Sequence, residues 1–183
     1  MRKGGANDPT RRDRIKQATL ELIAADGVHT VTHRKVADRA GVPLGSVTYY
    51  FDTLDTLLVE AFTVLRDELR PRYVDLLHAA RTRSEALDVL VDGVCGDTAA
   101  SEHEVRLLLE MYSYGNLSPE VHELIRAMER ECREALALHF GDAVARALEA
   151  LVEGWWIHQR WDPVTLDRGM VEGIMKAICD YTL

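Results

Sequence analysis

The stretch GVPLGSVTYYFDTLDTLL, Gly41–Leu58, sets two glycines and a proline directly before Val47, Thr48, Tyr49, Tyr50 and Phe51. Such a run of β-branched and aromatic residues reads either as a buried strand or as a short helix that turns two tyrosines outward. A strand needs a partner, and the chain holds no second strand-like run of similar length. Read as a helix from about Leu44 to Phe51, the run places Val47, Tyr50 and Phe51 on one side and Ser46 and Tyr49 on another.

The flanks favour the helix. Ile15, Ala18, Thr19, Leu22 and Ile23 recur at helical spacing, and Gly27 follows Asp26, so the first helix is predicted over Thr10 to Asp26. Thr32 then caps a short second helix with Val36, Ala37 and Ala40 inward, ending at Gly41, and Val42-Pro43 makes the turn. Thr53 caps a long fourth helix that carries Leu58, Ala61, Phe62, Leu65 and Leu69 inward to about Ala80, with a kink expected at Pro71. Further helices are predicted from Ser84, from the capping box Ser101/Glu104 to Gly115-Asn116, from Ser118-Pro119 to about Phe140, from Asp142 to Trp161, and from Asp162-Pro163 onward. The expected fold is all-α, with about nine helices. An N-terminal three-helix helix-turn-helix domain, residues 1–52, precedes a ligand-binding and dimerisation domain, residues 53–183.

Of its 183 residues, 47% are hydrophobic and 28% charged, the composition of a folded globular protein. The net charge of −8 conceals an asymmetry: nine Lys+Arg against six Asp+Glu through Thr53 leave that segment at +3 and the remainder at −11. A basic head on an acidic body can still approach a polyanion, because screening shortens the reach of the distant carboxylates. No run of about 18 apolar residues and no signal-peptide pattern is present, so the expectation is a cytoplasmic protein with no membrane partner. Cys95, Cys132 and Cys179 stand far apart in apolar helical patterns, as thiols rather than a disulfide frame or a zinc site. The seven histidines form neither His-Glu-x-x-His nor Glu-x-x-His, and no nucleophile elbow, phosphate loop or Cys-x-x-Cys occurs. No catalytic residue, metal or cofactor is expected, and the reading is not an enzyme.

A supporting helix, a second helix, a glycine turn and a third helix make a helix-turn-helix, whose last helix enters the major groove. The hydroxyls of Ser46, Thr48 and Tyr49 can reach phosphates or base edges, and the Thr48 methyl can touch a thymine methyl. THRKVADRAGV (32–42) followed by GSVTYYF (45–51) resembles the TetR family of bacterial transcriptional repressors, over about residues 11 to 60. The resemblance implies an all-helical homodimer on a (pseudo)palindromic double-stranded operator, released by a small-molecule effector. It puts Thr32, His33, Arg34 and Lys35 of the second helix, and Leu44, Ser46, Thr48, Tyr49 and Tyr50 of the third, at the DNA. Two positions depart from the family pattern: Thr48 stands where most members carry tyrosine, and Leu54 where a lysine usually meets phosphate. Arg2, Lys3, Arg11, Arg12, Arg14 and Lys16 are candidates to compensate.

In ALEALVEGWWIHQRW, residues 147–161, Leu148, Leu151, Trp155 and His158 share one helical face, and Ala150, Gly154, Ile157 and Trp161 another. A helix apolar on two faces is buried on two sides. The first face is a candidate pocket wall. The second, whose small residues permit close approach, is a candidate dimer seam with Met170, Gly173, Ile174, Ala177 and Ile178 of the last helix. Met111, Tyr112 and Tyr114, with Phe62 and Arg66, offer a second pocket wall. The acidic body and the aromatic walls fit an aromatic or cationic effector. Three other readings stand beside the repressor: an activator, a corepressor-dependent regulator, and a helical small-molecule-binding protein or enzyme with an incidental helix-turn-helix.

Overall fold

Where Thr32 caps, the chain turns helical: its Oγ1 accepts the Lys35 N–H at 3.2 Å and opens helix α2, His33–Ala40. Gly41 closes that helix at φ +64°, a left-handed conformation glycine adopts without a Cβ penalty. The Val42 N–H donates to the Ala37 carbonyl and the Gly41 N–H to that of Asp38, the bond pair of a Schellman stop. Helix α3, Leu44–Tyr50, follows at once. The strand reading of 47–51 is thereby excluded.

A computed structural model describes residues 9–162 and 165–180. Among them the chain forms ten α-helices and two short 3-10 turns: α1 (Arg11–Asp26), α2, α3, α4 (Leu54–Leu69), α5 (Val74–Ala79), α6 (Arg83–Cys95), α7 (Glu102–Gly115), α8 (Pro119–Ala137), α9 (Asp142–Trp161) and α10 (Arg168–Cys179). No strand occurs among the described residues.

The tenth helix comes from Pro71, which breaks the predicted long helix instead of kinking it. α4 stops at Leu69, a 3-10 turn covers Arg70–Arg72, and α5 restarts beyond Tyr73. Three further boundaries shift. Thr82, not Ser84, caps α6 by accepting the Glu85 N–H. Gly141 occupies the N-cap of α9 without a side-chain bond, and Asp142 is its first residue. α10 begins at Arg168, where Asp167 accepts the Met170 N–H, later than the predicted start at Asp162-Pro163, whose proline lies outside the described residues. The capping box of α7 is formed as expected: Glu104 N–H donates to Ser101 Oγ, and Ser101 N–H donates back to the Glu104 carboxylate at 2.7 Å.

The chain gathers into two compact units. The first holds the residues through Leu65 together with Leu107–Leu124, and the second Arg66–Arg106 with the chain from Ile125 on. The boundary falls inside α4, α7 and α8. Ile15, Ile23, Val36, Val47, Phe51, Leu58, Phe62 and Met111 are fully buried in the first unit. Leu77, Leu90, Val91, Leu136, Leu148, Val171 and Met175 form the centre of the second. Cys95, Cys132 and Cys179 are free thiols.

Candidate functional site

The alternation predicted for α3 is what packing makes of it. Val47 and Phe51 are buried, while Tyr49 is 80% exposed. Leu44 and Thr48 are exposed beside it, and Ser46 and Tyr50 are half-buried. The two tyrosine rings meet edge to face at 5.2 Å and 80°, so Tyr50 buttresses Tyr49 from the side. The Thr48 hydroxyl lies 3.4 Å from the carbonyls of both Leu44 and Gly45, long contacts that a stronger partner can replace. On α2, Arg34 and Lys35 are exposed. The Thr32 oxygen is used by the cap, and His33 is half-buried, its Nε2 shut off from solvent with no hydrogen-bond partner.

The basic residues of α1 are less available than their charges imply. Arg12 binds Glu60 of α4 and spreads its guanidinium over the Phe51 ring, 5.6 Å from the centroid. Lys16 pairs with Asp13 at 2.8 Å, which holds that carboxyl below its ordinary value. Arg12 thus ties α1 and α4 across the end of α3. Arg2 and Lys3 lie outside the described residues.

α7 and Ser118, which follows it, are joined to the rest of the first unit by contacts that span many residues of sequence. Glu110 accepts the Val28 N–H at 2.8 Å, just beyond the end of α1. The Tyr114 hydroxyl donates to one oxygen of Asp55 at 3.0 Å, and the Ser118 hydroxyl to the other at 3.1 Å. Burial, reinforced by the Asp55 bond, pushes the Tyr114 phenol above its ordinary pKa. Tyr114, expected on a pocket wall, therefore has its hydroxyl committed to α4. Phe62 and Met111 are buried in the same unit, and Tyr112 is half-buried.

The other candidate pocket residues belong to the second unit. Arg66 grips its neighbour Asp67 through Nε and Nη2, at 3.0 and 2.8 Å. Leu151 and Trp155 pack half-buried against the core, and His158 is exposed. On the outer side of α9 and α10, Ile157, Trp161, Met170 and Ile174 are exposed, Trp161 by 64%. Ala150, Gly173 and Ala177 are exposed among them, and Gly154 and Ile178 are half-buried. Space over Gly154 and Gly173 is open for 4 Å beyond an added Cβ. The two helices also contact each other, so these residues form one uncovered apolar face.

The interior of the second unit holds a group absent from the predicted sites. Glu149 and Glu153, four apart on α9, approach Tyr73 and Cys132. Trp156 donates its indole N–H to the Gly93 carbonyl at 2.7 Å and meets the Tyr73 ring edge-on at 6.1 Å. The i, i+4, i+7 spacing of Glu149, Glu153 and Trp156 is the signal that could have found them.

Two family models match the chain. Bacterial regulatory proteins of the tetR family match residues 15–61, and the C-terminal domain of the BetI-type transcriptional repressor matches residues 80–183. The HTH-type transcriptional regulator BetI of Klebsiella pneumoniae (strain 342) is 26% identical over 176 residues, covering 91% of this chain and 90% of that protein. Among solved structures, SCO7518 of Streptomyces coelicolor A3(2) is 36% identical, with a TM-score of 0.83 over 94% of this chain and all of that one. The multidrug binding protein EbrR, in complex with imidazole, is 27% identical with a TM-score of 0.73, over 96% of this chain and 98% of that one. It has also been solved with proflavin, at 26% identity and a TM-score of 0.66, over 92% of this chain and 99% of that one.

Proposed function

Because the chain belongs to the TetR family of bacterial regulatory proteins, we propose that it reads its operator through α3, as a homodimer, and lets go when an organic cation occupies its C-terminal half. The protein is a DNA-binding, ligand-responsive transcriptional repressor. One observation carries the assignment of the reading surface: a capped α2, a glycine stop and an α3 whose inner residues are buried while Tyr49 stands in solvent.

Residues 1–52 are the DNA-binding part. Leu44, Ser46, Thr48 and Tyr49 face base edges and backbone, with Tyr50 beside them, while Thr32, His33, Arg34 and Lys35 position α2 on phosphates. Residues 53–183 carry effector binding and dimerisation. The exposed apolar face of α9 and α10 is the seam, its occupant a second copy of the chain, because an isologous contact needs an apolar patch with room for close approach. No helix among the described residues is long and apolar enough to cross a membrane, and we place the protein with its DNA in the cytoplasm, acting by binding and not by turnover.

The effector class follows from charge. EbrR takes proflavin, and the −11 carried beyond Thr53 favours a cationic or aromatic guest here too. Two recognition helices must stand about 34 Å apart to enter successive major grooves. An effector that favours any other spacing competes with the operator, and the operator weakens the effector by the same factor. Hundredfold relief requires about 2.7 kcal/mol of coupling.

Footprinting on the region upstream of the protein's own gene tests the regulatory sign. Two protected half-sites, about one helical turn apart and overlapping the promoter, are expected. Protection lying wholly upstream of the promoter would make the protein an activator. The missing family lysine gives a second test: Leu54→Lys adds one phosphate contact per protomer, and log K against log salt should steepen by about 0.9 for each. An unchanged slope would take the start of α4 off the DNA.

A further inference from the structure

Helix α3 is seven residues long and opens at Pro43 without a side-chain cap. So short a helix does not fix its own direction, which is left to the groups packed against it. Val47 and Phe51 are fully buried on its inner side, and Tyr49 stands in solvent on the outer, its ring edge to face with that of Tyr50. The ring contacts continue inward from there. Tyr50 lies 6.4 Å from Phe51 at 55°, and the Arg12 guanidinium stands over Phe51, 5.6 Å from the centroid. Arg12 Nη2 in turn donates to Glu60 Oε1 on α4. One series of contacts therefore runs from the Arg12–Glu60 pair through Phe51 and Tyr50 to Tyr49, and all of it lies in the first unit.

The pair is poorly suited to holding the fold together. Its side chains are 51% and 27% exposed, and ion pairs in such positions add little stability. It is better suited to fixing a direction. A guanidinium is attracted to the face of a ring, but the long arginine stem lets it swing unless a second partner holds it, and Glu60 is that partner. Recognition side chains work only when held to within about 0.5 Å of the productive geometry by the groups behind them.

We propose that Arg12 and Glu60 are positioning residues for operator recognition: the pair clamps Phe51 and Tyr50 so that Tyr49 is presented in one orientation. This inference rests on the reading of α3 as the helix that contacts DNA. It turns Arg12 inward, although a cation in α1 also suits a phosphate. The two roles differ in sign. If Glu60 only competes with phosphate for Arg12, removing Glu60 frees a cation and tightens binding to any duplex. If Glu60 holds the clamp, its removal loosens the operator complex alone.

The test is anisotropy titration of the full chain on the upstream and scrambled duplexes over a range of salt, read as the ratio of the two affinities, which cancels the change in net charge. Glu60→Met should lower that ratio about tenfold, equivalent to part of one base contact in each half-site. Glu60→Gln, whose side-chain oxygen still accepts from Arg12, should recover most of it. Arg12→Met should lower the ratio by a similar factor and leave the salt slope unchanged, and the double variant should be no worse than either single one. Melting temperatures should stay within about 4 °C of wild type. Without DNA, the ring signals of Tyr49 and Tyr50 in protein carrying ¹³C-labelled tyrosine, assigned through Tyr49→Phe and Tyr50→Phe, should move in Glu60→Met. Tighter binding to both duplexes at an unchanged ratio in Glu60→Met, or a slope shallower by about 0.9 per protomer in Arg12→Met, would make Arg12 a phosphate ligand and overturn the clamp. Unmoved tyrosine signals also overturn it, and a wild type that still selects its operator then leaves the repressor standing. A wild type that holds both duplexes alike overturns the repressor reading, while the tyrosine signals still decide whether the pair holds Tyr49.

Discussion

Tyr49→Ala is expected to remove sequence-selective operator binding while the protein melts as before. The side chain is 80% exposed and spends its ring on solvent and on the edge of Tyr50, so its loss should change stability by no more than about 0.5 kcal/mol. On the proposed reading, the same ring and hydroxyl lie on the face of α3 that enters the groove. A specific contact is worth about 1–3 kcal/mol, and a symmetric dimer loses it twice, which amounts to roughly 30-fold to more than 10⁴-fold in affinity. Binding to a scrambled duplex, which rests on phosphates, should hardly move. Anisotropy titrations on both duplexes check this. An operator affinity equal to wild type would mean that α3 does not read the DNA.

The second large effect concerns the α9–α10 face. Ile157→Asp combined with Ile174→Asp puts two carboxylates per protomer on a surface already open to solvent. The protomer should keep its fold, since both side chains are exposed, while the pairing of two copies fails because each charge is buried against its symmetry mate. Sedimentation should then show a monomer of 20.6 kDa in place of a dimer. Without the second half-site the operator complex loses the gain of linked binding, about 10²–10⁴-fold. A variant that remains dimeric would place the seam elsewhere.

These two predictions differ in how far the sequence alone supports them. Around α3 everything that matters is local: Thr32 three residues before Lys35, glycine where φ must be positive, and a buried valine and phenylalanine four apart. Such signals are carried by neighbouring residues and need no tertiary information, so the helix-turn-helix, the outward Tyr49 and the capping box of α7 were all legible. Pro71 was legible as a disturbance, but whether a proline kinks or breaks a helix depends on what packs against the segment after it. There Val74 and Leu77 are buried in the core of the second unit, and α5 follows that core.

Charge was misread where pairing decided its use. Arg12 and Lys16 count as positive in the sequence, yet Glu60 and Asp13 occupy them, and Glu60 lies 48 residues from its partner. The interior cluster around Glu149 stays hidden in the sequence for the same reason. Glu149 and Glu153 sit among apolar residues of a helix whose visible pattern is two apolar faces, so they pass for solvated carboxylates. Only Arg133 from α8 and Tyr73 from the break at Pro71 reveal that Glu149 points inward. Tyr114 illustrates the converse. Its position next to Met111 looks like a pocket wall, whereas its hydroxyl holds Asp55 at the start of the fourth helix.

The most direct test of the repressor reading is fluorescence anisotropy of the purified protein on labelled DNA from upstream of its own gene, at two salt concentrations, against a scrambled duplex. Tight binding of two protomers to the upstream duplex is expected, with only weak binding to the scrambled one. Selectivity should survive the higher salt even as both affinities fall. Equal, weak binding to both duplexes, erased by salt, would contradict the repressor reading.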